Sequence, residues 1–281
     1  MTQYNFKKIL VAVDLSEASL NALDTAAALA KKHAAKLIIL NVEDNSFDFL
    51  RDEFVHLYDP SSDVVSALAN AIQHKTELEP EVIQLTGPVA STVVRVCMEN
   101  HCDLIVMGTH GASGYRDCFV GSNTYNVVKF ATCPVLTVPA QKKWTQFKKV
   151  LFPVRPVTGA LSRYDLAKQF LSPNSQLSIL GLSYRRQERE MNLLEELTLE
   201  ISSRIKEDRV ITKTAWGSGS GIAEDVLSYA GQNNADLIIL TTSLDVSNKP
   251  YFIGPNAQKI MSNAKMPVLS IRKIAVPASV S

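Results

Sequence analysis

The sequence predicts an α/β fold with two domains in tandem, each a doubly wound sheet of five parallel strands. The first observation is an internal repeat: residues 103–108 return as residues 236–241, and residues 133–138 return as residues 266–271, at identical spacing. Such a gapless self-similarity indicates a duplicated structural unit. The second observation is the alternation of apolar, strand-like runs with helical periods, which favours a parallel sheet covered on both faces. Right-handed crossovers then close each sheet as a doubly wound, Rossmann-like fold.

In the first copy, each strand is predicted from a short apolar run and each helix from apolar residues at helical spacing. Residues 8–13 are continuously apolar, as expected of a central strand buried on both faces. A helical period through Leu20 and Leu23 follows, with Ser16 as its N-cap. Residues 43–60 predict a long irregular connection. The other strands are predicted at residues 36–42, 81–85, 103–107 and 134–138, and the other helices near residues 64–72, 89–100 and 122–131.

The second copy begins where residues 149–154 restart the pattern of the first strand, after a short polar stretch. Its further strands are predicted at residues 177–182 and 210–215 and at the two repeated segments, with helices near residues 161–171, 187–206 and 221–232. The predicted division is a first domain at residues 1–140, a linker at residues 141–147, a second domain at residues 148–274 and a tail at residues 275–281.

Composition argues against several classes of partner. With 29 basic and 28 acidic residues, the chain has no charge surplus for binding nucleic acid or an anionic membrane surface. No apolar run approaches the length that crosses a bilayer, and the N-terminal residues do not resemble a signal peptide. The four cysteines (Cys97, Cys102, Cys118 and Cys133) form no CxxC pair. We therefore expect reduced thiols in a cytoplasmic protein.

A candidate ligand site follows from the predicted topology. Ligands of open α/β sheets bind beyond the carboxyl ends of the strands, where the strand order reverses. Asp14 follows the first strand there, and Gly108 and Gly111 follow the fourth, where glycines permit tight turns and close approach of a ligand. Gly121 and Ser122 open the next helix, whose free N–H groups suit an anion. Because GxGxxG after the first strand and GxxxxGK[ST] are both absent, neither a common dinucleotide site nor a P-loop is predicted.

These residues carry a resemblance to a known family. The pattern Gly108-x2-Gly111-x9-Gly121-Ser122, preceded by Asp-Leu-Ile-Val-Met and followed by Cys-Pro-Val-Leu, resembles the universal stress proteins. The resemblance covers the chain as two family domains and implies a fold like that of the adenine nucleotide alpha hydrolases. In the ATP-binding branch of that family, the matching residues hold the nucleotide. Carried over, the resemblance nominates Ala12, Asp14, Val42, Gly108, Gly111, Gly121, Ser122 and Asn123.

The resemblance implies a regulatory role. It suggests a stress-response protein that binds ATP, with Mg²⁺ as a possible companion, and that changes its association with an unidentified protein partner. No catalytic base for attack on the γ-phosphate is evident, so a dedicated enzyme is not expected and any hydrolysis would be slow. Family members commonly pair through their last strands. In this chain residues 134–138 and 267–271 can pair internally, which leaves homodimerisation open.

The second copy lacks most of the pattern. Arg155 stands where the first copy has Asp14, and Thr241, Leu244 and Pro255 replace two glycines and the serine. Pro255 removes one N–H from the start of its helix. We interpret the glycine-rich residues 217–221 as a flexible lead-in to a helix. The second copy is therefore predicted to carry a degenerate site, so that the chain binds one nucleotide.

Four alternatives stay open at this stage. The glycines could serve turns alone with Ser122 as an N-cap, in which case the chain is an interaction or scaffold protein. A nucleotide-dependent adenylating enzyme is disfavoured, because no SGGxDS-type loop follows the first strand. Cys97 and His101, four residues apart, could offer two metal ligands, but core packing is the better explanation of the cysteine. His110, inside the glycine loop, could equally contact a phosphate or only solvent.

Overall fold

The structure is a computed structural model of the chain. It describes residues 5–44, 60–109, 120–141, 143–155, 160–183, 188–205, 211–217, 219–241 and 253–271.

The first copy alternates strands and helices as predicted. The predicted connection at residues 43–60 falls mostly outside the described residues. In chain order, the elements are β1 (Lys8–Ala12), α1 (Glu17–His33), β2 (Lys36–Glu43), α2 (Pro60–Thr76), β3 (Glu81–Thr86), α3 (Val89–Glu99), β4 (Leu104–Gly108), α4 (Ser122–Phe130) and β5 (Val135–Val138).

The second copy repeats this order. Its first helix is shorter than predicted and continues as a 3₁₀ turn at Lys168–Phe170. Its elements are β6 (Lys149–Val154), α5 (Ala160–Ala167), β7 (Gln176–Gly181), α6 (Glu188–Ile205), β8 (Ile211–Trp216), α7 (Ile222–Gln232), β9 (Leu237–Thr241), α8 (Pro255–Asn263) and β10 (Val268–Ile271).

The strand order confirms the predicted fold class. The described strands form one sheet in the order β3-β2-β1-β4-β5-β10-β9-β6-β7-β8. Within each copy all neighbours are parallel, and the chain winds first to one side of its first strand and then to the other. The point of reversal therefore lies between β1 and β4 in the first copy and between β6 and β9 in the second.

The two copies meet through their last strands. β5 and β10 pair antiparallel, with Leu136 opposite Leu269, and the Thr137 hydroxyl donates a 3.2 Å hydrogen bond to the Val268 carbonyl. This is the internal pairing that the family resemblance allowed. It joins two five-stranded sheets into one sheet of ten strands.

The repeated aspartates explain part of the sequence repeat. The Asp103 carboxylate accepts hydrogen bonds from the backbone N–H groups of Lys7 and Lys8, at 2.6 and 2.9 Å. Asp236 accepts the same pair of bonds from residues 148 and 149, at 3.1 and 3.0 Å. Each aspartate thus satisfies backbone donors where the central strand of its copy begins, which fixes the register of that strand against its neighbour.

The copies also touch beyond the sheet. Lys32 and His33, in the last turn of α1, contact the second copy: Lys32 Nζ donates to the Gln169 and Leu171 carbonyls at 3.0 and 2.6 Å. His33 Nε2 lies 3.0 Å from the Gln169 carbonyl oxygen. These bonds tie the end of α1 to the 3₁₀ turn of the other copy.

Two aromatic residues of the predicted linker are packed against the protein. Trp144 and Phe147 are buried, and the ring of Phe147 stands edge-on to that of Phe170. The division into domains at residues 140 and 148 stays a prediction. None of the helices that the structure describes is long and apolar enough to cross a membrane.

Candidate functional site

A cleft of about 130 Å³ lies at the strand-order reversal of the first copy. Its walls come from the carboxyl ends of β1, β2 and β4, from the first turn of α4 and from the first residue of α3. The lining residues are Ala12, Val13, Asp14, Leu40, Val42, Val89, Met107, Gly108, Gly121, Ser122, Asn123 and Thr124.

Seven of the eight nominated residues line this cleft, and the eighth, Gly111, lies outside the described residues. His110 and Leu244, also singled out in the sequence, lie outside them as well. Residues that stand more than a hundred positions apart in the chain are thus brought to one place, because parallel strands end at the same edge of a sheet. Their role in binding a ligand stays a prediction.

The first turn of α4 presents backbone donors to the cleft. Gly121 is the N-cap residue and has no side chain, so no side-chain hydrogen bond caps this helix. The start of the helix is held from the other side: Thr124 Oγ1 donates to the Gly108 carbonyl at 2.8 Å, and Gly121 N–H donates to the Thr109 carbonyl at 3.0 Å. The helix N-terminus therefore has a fixed position beside the end of β4, with the positive end of its dipole at the cleft.

Asp14 is held in place by the start of α1. Its Oδ1 accepts from the Ser16 hydroxyl at 2.6 Å and from the Ser16 N–H at 3.1 Å. Ser16 is the N-cap that was predicted, and its hydroxyl oxygen accepts from Ser19 N–H at 3.3 Å. The carboxylate thus stabilises the helix N-terminus, where negative charge is favourable, while it also lines the cleft.

The structure gives a different reason for the glycine at position 108 from the one that the sequence suggested. Glycine was expected here so that a ligand could approach the backbone. In the structure, a β-carbon at position 108 would lie 2.9 Å from the Ala18 β-carbon and 3.0 Å from Ser19 N. The missing side chain of Gly108 therefore makes room for α1, and it is the backbone of this residue that borders the cleft.

Half of the lining residues have apolar side chains, and we refer to them together as the apolar wall: Ala12, Val13, Leu40, Val42, Val89 and Met107. Ala12 and Val42 are among the predicted site residues, but Val13, Leu40, Val89 and Met107 are not, because an apolar pattern does not reveal which residue faces a ligand. Asn41, next to this wall, donates a 2.8 Å hydrogen bond from Nδ2 to the Val13 carbonyl and so ties the ends of β2 and β1 together. The lining of the cleft thus combines apolar side chains with N–H and hydroxyl groups.

The corresponding edge of the second copy is built differently. Gly181 takes the place of Asn41, and the ring of Trp216 from the neighbouring strand lies where a side chain at position 181 would stand, 2.4 Å from that β-carbon. Leu182, at the position of Val42, is buried. Pro255 is the first residue of α8, as predicted, so this helix offers one backbone donor fewer than α4.

The glycine-rich segment of the second copy is not a flexible lead-in in its described part. Asp225, in the first turn of α7, is buried and accepts from Gly219 N–H at 3.0 Å and from the Ser220 hydroxyl at 2.7 Å. A β-carbon at Gly217 would lie 2.6 Å from the same carboxylate. The glycines therefore let the chain pass close to a buried aspartate, a tertiary contact that the spacing alone did not indicate.

Among the residues that the structure describes, no group of three possible metal ligands converges around Cys97 and His101. Cys97 is buried in α3, whereas His101 is exposed just past the C-cap. Core packing is the better account of Cys97, as the sequence suggested.

The fold and the cleft define a class: a tandem pair of doubly wound α/β units with a candidate ligand site at the reversal point of the first. The chain belongs to the universal stress protein family, whose sequence profile matches residues 5–139. A universal stress protein of Bacillus subtilis, YxiE, is 32% identical over 152 residues, which cover 47% of this chain and 99% of that protein. Another from Thermus aquaticus is 30% identical over 144 residues, 47% of this chain and 98% of that protein.

Solved structures share the fold of the whole chain. A universal stress protein from Archaeoglobus fulgidus aligns with a TM-score of 0.72 at 18% identity, covering 95% of this chain and 96% of that one. A protein described as functionally unknown, from Pseudomonas aeruginosa, aligns with a TM-score of 0.67 at 15% identity, over 95% and 92% of the two chains. At these identities the likeness shows the fold alone, and it extends across both copies.

Proposed function

We propose that the first copy binds ATP in the cleft between β1, β4 and α4, and that the protein acts as a nucleotide-responsive regulator rather than as a dedicated enzyme. The observation that carries the proposal is the convergence of Asp14, Val42, Gly121 and Ser122 on one cleft at the reversal point. These four residues come from different strands and a helix, and together they offer the groups that a nucleotide requires.

The two kinds of lining groups, apolar and polar, each suit one part of a nucleotide. The apolar wall around Val42 can pack against the adenine ring, and Asp14 can accept a hydrogen bond from a ribose hydroxyl. Phosphate oxygens can accept from the backbone N–H groups of the first turn of α4, with the Ser122 hydroxyl beside them. Because Gly121 contributes no capping side chain, a phosphate would take the place that a cap usually fills.

Magnesium fits this cleft only as a companion of the nucleotide. Asp14 is the one carboxylate among the described lining residues, and one of its oxygens already accepts from Ser16. Mg²⁺ requires six oxygen ligands and keeps several waters. A bound Mg²⁺ ion would therefore be coordinated mainly by phosphate oxygens and water, and this chain would supply few of its ligands.

One site per chain is expected. In the second copy, Arg155 replaces the aspartate and Pro255 removes a donor. The ring of Trp216 fills the space beside β7. We infer that this copy contributes structure and a surface for a protein partner instead of a second nucleotide site.

The first test is the nucleotide content of the purified protein. Acid extraction followed by ion-exchange chromatography should release about one adenine nucleotide per chain, or titration with ATP should saturate at one equivalent. Gly121→Asp should weaken ATP binding by about 2 kcal/mol, roughly thirtyfold in Kd, because the new carboxylate would face the phosphates. Aspartate is a favourable N-cap residue, so the variant should fold.

Two further variants act as controls. Gly121→Asn has the size of aspartate without its charge and should weaken ATP binding less than Gly121→Asp, so the difference between the two variants separates charge from bulk. Pro255→Ser restores the donor in the second copy and should not create a second site, because Arg155 and Trp216 remain. Absence of any ATP binding would favour the scaffold alternative, and two equivalents per chain would contradict the one-site proposal.

A further inference from the structure

Three cysteines of the first copy lie together on the side of the sheet where α3 ends and β5 begins. The sulfur atoms of Cys97 and Cys133 are 3.3 Å apart, although the residues are separated by 36 positions. Cys97 Sγ also lies 3.9 Å from the Cys102 carbonyl oxygen. Cys97 and Cys102 are buried, whereas Cys133 is partly exposed.

The end of α3 explains why Cys97 and Cys102 are neighbours. Cys102 N–H donates to the Cys97 carbonyl at 2.9 Å, His101 N–H donates to the Met98 carbonyl at 3.1 Å, and His101 has a φ of 52°. This is a Schellman motif, in which the two residues at the positions of Cys97 and Cys102 normally make an apolar contact. Their closeness is therefore a property of the helix end, which does not involve Cys133.

The second copy offers an internal comparison. Its helix α7 ends in the same motif, with Ala235 N–H donating to the Ala230 carbonyl at 2.9 Å and Asn234 at a φ of 52°. Ala230 and Ala235 stand where the first copy has Cys97 and Cys102, and Met266 stands at the position of Cys133. All three are buried. The fold can therefore be built at these positions without thiols, so the close pair of sulfurs is particular to the first copy.

We propose that Cys97 and Cys133 form a reversible disulfide when the protein meets a hydroperoxide. Disulfide sulfurs are about 2.05 Å apart, so the two sulfurs have to approach by roughly 1.2 Å from their present separation. Because Cys133 follows α4 in the short connection to β5, its side chain can make this movement while Cys97 stays in the helix.

The exposure of the two thiols sets the order of the steps. The partly exposed Cys133 reacts first, giving a sulfenic acid and an alcohol, or water when the oxidant is hydrogen peroxide. The Cys97 sulfur then attacks the Cys133 sulfur, and the thiol proton leaves with the sulfenic hydroxyl as water. Two thiols and one hydroperoxide thus give one disulfide, one alcohol and one water.

The environment of Cys97 is consistent with its role as the thiol that reacts second, after Cys133 has been oxidised. A hydrogen bond with Cys102 lowers its pKa, but the hydrogen bond with Cys133 and burial outweigh this and raise the pKa of Cys97 to about 12. A thiol with so high a pKa is a poor first nucleophile towards a peroxide in solution. It can still react with a sulfenic acid that forms in contact with it.

The bond would close a loop that contains the proposed nucleotide site. The chain between the two cysteines carries Gly108, Gly121 and Ser122, so the disulfide would join the two anchors of the segment that lines the cleft. The proposal itself does not depend on nucleotide binding, and it is tested without nucleotide.

The experiment treats the purified full-length protein with stepwise equivalents of hydrogen peroxide. After remaining thiols are blocked by alkylation, non-reducing peptide mapping should find a cross-link between the peptides of Cys97 and Cys133. The intact mass should fall by about 2 Da, the two hydrogens lost from the thiols, and dithiothreitol should reverse the change. The oxidised protein should also unfold at a higher urea concentration than the reduced protein, because the cross-link restricts the unfolded chain.

Variants taken from the second copy act as matched controls. Cys97→Ala and Cys133→Met should abolish the cross-link, with Cys97→Ala leaving an overoxidised Cys133 that gains oxygen. Cys102→Ala and Cys118→Ser should leave the cross-link unchanged. The proposal would be overturned by a wild-type map that shows no cross-link under excess peroxide, or a cross-link to Cys102 or Cys118. Because the cross-link is mapped on the wild-type protein, this test remains decisive even if one of the variants fails to fold.

Discussion

Gly108 and Ala18 lie so close that a side chain at position 108 has no space unless α1 shifts: a β-carbon on Gly108 would lie 2.9 Å from that of Ala18. This contact seats the first turn of α1 against the end of β4, and it therefore positions Asp14 and the edge of the cleft. A residue that the sequence marked for ligand approach is also a packing residue.

Gly108→Ala should destabilise the protein by about 1–3 kcal/mol, because the added methyl group meets backbone as well as side-chain atoms of α1. The change in the free energy of unfolding can be measured with urea. Thr241→Ala is the matched control, since the second copy already carries a β-carbon at this position, and it should have a small effect. Equal losses in the two variants would contradict the packing argument.

Asp24 should contribute stability that depends on pH and salt. Burial alone would raise its pKa, but hydrogen bonds and charge from Lys143 and Lys75 outweigh burial and lower the pKa below the ordinary value of 3.8. A carboxyl whose folded pKa is depressed stabilises the protein above its unfolded pKa, and this stabilisation is lost as the pH falls through the folded pKa.

Asp24→Asn should therefore cost about 0.5–1 kcal/mol at neutral pH, a small value because both lysines are largely exposed. The difference between variant and wild type should shrink in high salt and vanish at a pH well below 3.8. Lys143→Gln should reproduce part of the neutral-pH loss. A loss that persists unchanged in acid would show that the effect is not electrostatic.

His33 should make the contact between the copies sensitive to acid. Burial and the neighbouring Lys32 lower the pKa of His33 below 6.5, against a smaller opposing effect of the Gln169 carbonyl. The unfolded state then binds more protons than the folded state in this range. Stability is therefore full above pH 6.5 and falls as the pH drops from there through the folded pKa.

The urea midpoint of the wild type should accordingly decrease between about pH 7.5 and pH 5.5. His33→Gln should flatten this part of the profile, because glutamine cannot be protonated in this range. His101→Gln, which changes an exposed histidine, should leave the slope as it is in the wild type. If His33→Gln kept the full slope, another group would be responsible.

Asp225 should contribute more to the stability of the protein than Thr92, the residue at the corresponding position of the first copy. Asp225→Ala would leave the Gly219 N–H and the Ser220 hydroxyl without the carboxylate and should cost about 1–3 kcal/mol. Thr92→Ala, at the corresponding position of α3, is the control and should cost less. Limited proteolysis should cut near residues 217–221 faster in Asp225→Ala than in the wild type, and equal rates would argue against this contact as the anchor.

Much of the fold could be predicted because it depends on local and repeated signals. The apolar runs of β1 and β2 and the N-cap Ser16 act over a few residues, and the repeated segments at residues 103–108 and 236–241 reveal the duplication. The internal pairing of β5 with β10 was an expectation from the family resemblance and not from a local signal, and the structure confirms it.

What the sequence could not reveal are contacts between distant parts of the chain. Nothing local shows that Gly108 faces Ala18, that Asp225 holds Gly219, or that Cys97 meets Cys133. Nor does an apolar pattern tell which strand residues border the cleft, so Leu40 and Met107 were missed although their strands were identified. Each of these contacts depends on how the helices pack against the sheet, which a local sequence pattern does not determine.

The antiparallel junction of β5 and β10 has a consequence for how this protein can change over time. When two identical chains pair through their last strands, every substitution appears on both sides of the assembly. Here the partners are two stretches of one chain, always present in equal number and always correctly matched. One side can keep Asp14 and Ser122 while the other acquires Arg155 and Pro255, and neither change has to be tolerated twice.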